Sequence, residues 1–291
     1  MNKKFKYTSL VAAGAVTLGL VGGTLAWFTS TASVTNPFAT GITDNPNDPN
    51  SGIDINENFN PDNADNVIPG DDVTKKVQVT NKASYDQFVR AEILVEVTRN
   101  VSNTNPGEGG DKITSTTSTH KIIKKGSNYV VDGYEDIVLN FKTFGGLDVT
   151  TEGEGDNIVK TVVDAGKWYP LMTNVTEEKE EKEENEENEA IGFVDYFYYL
   201  GKVKADDTSK DSGLEQDLNY TNTLLESVEL LSTAGNQYKN IEFDVIINAD
   251  SIQATHDAYK DWCDDESLQA VYDVLQDGET TAPTDSYAVT K

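Results

Sequence analysis

The sequence predicts an all-β protein, a sandwich or a barrel, on three observations. Short apolar runs recur along most of the chain, and several alternate with polar residues at period two. Clusters of Gly, Asn, Asp and Thr stand between them as turn signals. Helical periodicity is confined to the region beyond residue 250, too short to change the class.

Residues 44–66 are almost all Asn, Asp, Pro and Gly and read as a long turn-rich loop. Their Asp/Asn alternation suggests a calcium loop, but the EF-hand spacing fails. Phe59 stands where glycine is needed after Asp54-x-Asn56-x-Asn58, and Gly52 comes one residue early after Asp48-x-Asn50. A solvated loop is the reading adopted. Ile68-Pro69-Gly70-Asp71 is a turn signal, and residues 73–80 then form a strand with Val73, Val77 and Val79 at period two. Asn81 to Ser84 ends it. Residues 88–98 form a longer strand with Arg90, Glu92 and Glu96 on one wet face. Further strands are predicted at 128–131, 137–141, 158–163, 192–200, 224–231 and 241–249. The aromatic run Tyr196-Phe197-Tyr198-Tyr199 alternates across one of them, core on one face and a lateral contact on the other. Ser251 is placed to cap a helix over 252–262, short enough to be instead one turn packed under the sandwich, and Asp264-Asp265 to start a second over Leu268, Val271, Tyr272 and Leu275. Residues 177–189 hold nine Glu, two Lys and two Asn and read as a solvated insertion between strands, in preference to a site for cations or a basic partner. Residues 205–219 read as loop.

The amino terminus differs in composition. Lys3, Lys4 and Lys6 precede an uncharged run, residues 8–25, that closes on Thr24-Leu25-Ala26. Small residues thus stand at −3 and −1 of a cut between Ala26 and Trp27, the order of parts of a secretory signal peptide. A retained membrane anchor is the alternative; the T-x-A ending favours cleavage. Removal takes three lysines away, so the net charge of −27 becomes −30 on the exported chain. The expected organisation is a signal peptide (1–26), a segment 27–43 and one domain over 44–291 with its acidic insertion.

The charge and residue counts exclude several functions. A chain with 50 acidic and 23 basic residues repels phosphate backbones, so no nucleic-acid partner is expected. One cysteine allows neither an internal disulfide nor a Cys-rich zinc site. His120 and His256 lie far apart and outside any H-E-x-x-H pattern. The chain has no G-x-S-x-G elbow, Walker loop or G-x-G-x-x-G after a strand. Gly107–Gly110 falls in a polar loop without a following helix, and Cys263 has no histidine placed by sequence to activate it. No catalytic residue, metal ligand or cofactor is nominated.

Several segments stand in a characteristic order. Gly22-Gly23-Thr24-Leu25-Ala26 leads to Trp27-Phe28-Thr29-Ser30 and then Asn36-x-Phe38-Ala39-Thr40-Gly41. Ile68-Pro69-Gly70-Asp71-x-Val73-Thr74-Lys75 follows a polar stretch. This order resembles the TasA/camelysin family of secreted bacterial biofilm-matrix proteins, with a signal cut by a dedicated SipW-type signal peptidase. Trp168-Tyr169, Asp195 to Tyr199, and Ala249 to Ala254 with Trp262 look closer to its BsaA-type branch. The resemblance implies a jelly-roll β-sandwich that polymerises into extracellular fibres, with the segment after the cleavage site pairing into a neighbour's sheet. Trp27, Phe28, Val34, Phe38 and Ile42 make residues 27–42 apolar enough for such a strand, shielded or mobile before assembly. Expected partners are further copies of the chain and the signal peptidase, with room for other matrix components. The family's metalloprotease label finds no histidine ligand set here. The leading expectation is a structural subunit rather than an enzyme. Against it stand a monomeric exported acidic binding module and, third, a metal-dependent protease.

Overall fold

The computed structural model describes residues 29–37, 52–64, 67–83, 85–103, 112–153, 158–175, 191–205 and 219–278. Within them lie β1 (Thr29–Pro37), β2 (Ile53–Phe59), β3 (Asp72–Asn81), β4 (Gln87–Asn103), β5 (Lys112–Lys125), β6 (Asn128–Val131) and β7 (Tyr134–Phe141). There follow β8 (Val149–Glu152), β9 (Val159–Val162), β10 (Trp168–Val175), β11 (Ile191–Tyr199), β12 (Leu225–Leu230), β13 (Ile241–Gln253) and the helix α1 (Glu266–Asp277). Eleven strands share one antiparallel sheet in the order β1-β13-β4-β11-β5-β6-β7-β12-β3-β2, with β10 on β11; β8 and β9 form a separate ribbon. The predicted all-β class holds.

The sheet curls where β4 and β5 part. They pair from Leu94↔Lys121 outward to Asn103↔Lys112. Inward of that point β11 fills the fork, with Phe197↔Ala91 and Tyr198↔Arg90 on β4, and Gly192↔Lys124 to Val194↔Ile122 on β5. The sheet therefore turns back over itself, and β2, at one end of the strand order, comes against β1 and β13 at the other. Between the layers lies the main core, with Val73, Val77 and Val79 of β3, Ala91, Ile93, Val95 and Val97 of β4, and Val245, Ile247 and Ala249 of β13. Burial on this scale supplies the main driving force, roughly 1.5–3 kcal/mol per large aliphatic side chain.

A second core lies on the opposite face. Period two along β11 puts Phe197 and Tyr199 in the first core and Tyr198 in the second, with Phe88, Tyr259, Leu268, Val271 and Tyr272. The lateral face expected of the aromatic run is thus an interior, closed by α1. That helix begins where Asp265 accepts a hydrogen bond from the Leu268 N–H at 2.9 Å, as the sequence predicts.

The expectation for 252–262 is corrected. β13 continues to Gln253 because Ser251 and Ile252 are buried opposite Val89 and Phe88. His256 and Asp257 then take left-handed backbone conformations, φ 52° and 62°, which turn the chain into a single 3-10 turn, Ala258–Asp261. The loop expected over 44–66 is corrected over its described part, since β2 occupies Ile53–Phe59. Its composition conceals an alternation: Ile53 and Ile55 are buried, while Asp54 and Asn58 are exposed. β5, β8 and β10 are strands that the apolar runs did not announce. The 68–71 turn forms as expected, with the Asp71 N–H donating to the Ile68 carbonyl at 3.0 Å and Gly70 at φ 99°.

Candidate assembly edge

The N-terminal segment expected to act in polymerisation supplies β1. All nine of its residues pair antiparallel with β13, from Thr29↔Ile252 to Pro37↔Asp244, and Val34 stands opposite Ile247. β1 ends the strand order, so its far edge has no partner strand among the described residues. The expected cleavage pair Ala26 and Trp27, and Phe28, Phe38 and Ile42 of the expected polymerisation strand, lie outside the described residues, as does the acidic stretch 177–189. Sequence reasoning found the segment but not its acceptor. The signal for the acceptor was present in 241–249, where Phe243, Val245, Ile247 and Ala249 alternate with polar or half-buried positions.

β13 is held rigid from its other side. It pairs with β4 without a break from Ile241↔Arg99 to Gln253↔Gln87. Cross-strand polar pairs reinforce that ladder: Asn248 Nδ2 donates to Glu92 Oε2 at 3.1 Å, and Asn100 Nδ2 to Glu242 Oε1 at 3.1 Å. At its C-terminal end Arg90 makes a composite joint. The guanidinium lies 4.1 Å from the Tyr196 ring centre and 4.9 Å from that of Trp262, and donates to Asp250 Oδ2 at 3.3 Å, Tyr198 Oη at 3.3 Å and the Trp262 carbonyl at 2.5 Å. One side chain thus ties β4, β11, β13 and the segment before α1. Burial pushes the Tyr198 phenol up to about 12, against the opposing pull of Arg90.

A buried ion pair sits at the seam between the sheet's two ends. Lys75 of β3 is fully buried, its Nζ 2.9 Å from Glu57 Oε1 of β2 and 5.0 Å from the Phe59 ring centre. Burial is the strongest influence on this ammonium and lowers its pKa; Glu57, and Asp244 on β13, act in the opposite sense. Asp244 is the residue opposite Pro37, so the charge cluster borders the end of the β1 slot.

The groups that could serve catalysis are scattered. His120, on β5, meets Ser118 Oγ at 2.7 Å and the Tyr134 ring edge-on at 5.0 Å; His256 lies in the turn after β13. Cys263 is buried beneath α1, and burial raises its thiol pKa, which disfavours the thiolate. Among the described residues no group of three or more His, Cys, Asp and Glu is placed to hold a metal ion. Nor is any helix among them long and apolar enough to cross a membrane.

No curated protein and no solved structure matches the chain. The family described as camelysin metallo-endopeptidase matches residues 2–127, a stretch that holds β1 to β5 and the predicted cleavage motif. Over residues 2–127, less than half of its length, the chain is thus similar to the camelysin family, in line with the resemblance read from the ordered motifs.

Proposed function

We propose that the chain is a secreted structural subunit, of the BsaA-like kind, that polymerises into extracellular matrix fibres by exchange of residues 27–42 between neighbours. The observation that supports this most is the placement of β1 as a terminal strand, bound to its own domain through main-chain pairing with β13 along its whole length. Fifteen residues separate Pro37 from Ile53, enough chain to reach roughly 50 Å when extended. The same β13 edge can therefore be filled by the subunit's own segment before assembly and by a neighbour's after it. Main-chain hydrogen bonds are conserved in the exchange, which makes it nearly balanced per bond. Its direction is head to tail, and a head-to-tail contact that does not close into a ring grows a filament. Cleavage after Ala26 by the dedicated signal peptidase frees the end that must move.

The test is negative-stain microscopy of the chain starting at Trp27 beside one starting at Thr43. Fibres are expected from the first and none from the second; fibres from both would overturn the proposal. A mature chain that stays monomeric at all concentrations would instead favour an exported binding module. The family's protease label is tested by casein digestion with and without a chelator, where chelator-sensitive cleavage would establish an enzyme.

A further inference from the structure

β5 leaves a second main-chain edge open. Its outer part, Lys112 to Lys121, pairs with β4 on one side only. On the other side β6 covers Ile122 to Lys125, and the Asp132 N–H reaches the Lys121 carbonyl at 3.0 Å. Outward of that bond no described strand lies against β5, and residues 114–119 are exposed on both faces. A long open edge is a template for another strand unless charge, proline or a bulge blunts it. None of these occurs between residues 113 and 119.

The sequence of this edge is self-complementary. Thr114-Ser115-Thr116-Thr117-Ser118-Thr119 reads the same in both directions. An antiparallel pairing about a two-fold axis between Thr116 and Thr117 sets Thr116 opposite the partner's Thr117, Ser115 opposite the partner's Ser118 and Thr114 opposite the partner's Thr119. β-branched Thr suits a strand, and Thr–Thr and Ser–Ser pairs interact favourably across strands.

Charge favours the same contact. Residues 112–131 contain four lysines and no carboxylate in a chain of net charge −27. Two of those lysines are met within the subunit, Lys121 by Asp195 at 2.8 Å and Lys125 by Glu135. Two copies meeting here bring a neutral polar strand to a neutral polar strand, whereas most other contacts would press carboxylates together. The pairing is bounded at its ends, because two more steps would set Lys112 against the partner's Lys121.

We infer that β5 is a self-association edge: a second copy of this chain adds antiparallel to residues 114–119, joining subunits sideways through a symmetric contact. It uses a different edge from the one that β1 covers, so it does not rest on strand exchange. Symmetric pairing also closes on itself, which makes dimers from free subunits and side-by-side pairs from fibres.

The experiment compares four samples of the chain starting at Trp27 by analytical ultracentrifugation, after any fibres are removed: wild type, T116D/T117D, T116K/T117K and an equimolar mixture of the two variants. The wild type is expected to dimerise, and each variant to do so about tenfold or more weakly, since like charges then face each other in both central pairs. Mixing is expected to restore dimers, because Thr116→Lys then faces the partner's Thr117→Asp; restoration also requires both variants to be folded. A wild type without dimers, variants that dimerise as the wild type does, or a mixture that stays monomeric would each overturn the inference. Loss of fibres on removing residues 27–42 with dimers intact would leave it standing, and the converse would remove it alone.

Discussion

At the scale of single residues, Lys75 shows how period and residue type compete. It shares the parity of Val73, Val77 and Val79 on β3, so the alternation points its side chain inward, while its charge argues for the surface. The alternation wins because Glu57 on the neighbouring strand meets the ammonium at 2.9 Å. Lys75→Ala should cost about 3–5 kcal/mol in urea denaturation, since it removes the cation that faces a buried carboxylate. Lys75→Met combined with Glu57→Leu should cost far less, and equal losses in the two would show that the pair is not coupled. The buried tyrosines make a second residue-scale prediction. Burial raises the folded-state pKa of Tyr198 to about 12 and moves those of Tyr259 and Tyr272 upward. Above pH 10 the unfolded chain loses these protons first, so the folded state binds more of them. Their stabilisation is complete below pH 10 and is lost as pH rises through the folded values. The urea midpoint should therefore fall between pH 9 and pH 11, and less steeply in Tyr198→Phe; a flat profile would refute the assignment.

At the scale of elements, alternation and capping were readable where composition was typical. Strands over 73–80, 88–98, 128–131 and 241–249 appear within a few residues of the predicted bounds, β13 running four residues further than expected and β4 five. Asp265 caps α1 as its sequence position implies. Asp265→Ala should lower stability by about 1 kcal/mol and Asp265→Ser by little, measured by thermal or urea unfolding; equal losses would mean the cap bond is idle. Where composition misled, a long-range partner decided. β2 hides among Asn and Asp, yet pairs with all of Lys75 to Asn81 through seven residues. β5 is rich in Ser and Thr and becomes a strand because β4 offers it a ladder. Ser251 carries a helix-capping side chain, but β4 continues beneath it and extends the strand. Each of these elements is stabilised by a neighbour distant in sequence, which no local window contains.

At the scale of the whole molecule, the charge bears on the proposed assembly. Removal of the predicted signal would leave −30 per subunit, and much of the excess lies in 44–66 and 177–189. Subunits in a fibre would hold such charges within tens of ångströms of one another. The Debye length falls from about 30 Å at 0.01 M salt to about 10 Å at 0.1 M, so screening should ease their approach. Fibre yield of the chain starting at Trp27, followed by pelleting, should therefore rise with ionic strength over that range. A fall would mean that attraction between charges, not their repulsion, governs assembly.

The sequence by itself determined the class, most of the strands, the cap of α1 and the segment that the proposal assigns to polymerisation. All of these are written in neighbours within a dozen residues, through alternation, turn residues and hydrophobic runs. Only the tertiary structure decided that β1 lies on β13, that Lys75 and Glu57 meet in the interior, that Arg90 joins three strands and that β5 keeps one edge open. Those outcomes depend on which strands become neighbours. β1 and β13 stand more than two hundred residues apart in the chain, and their pairing is selected by the closure of the whole sheet.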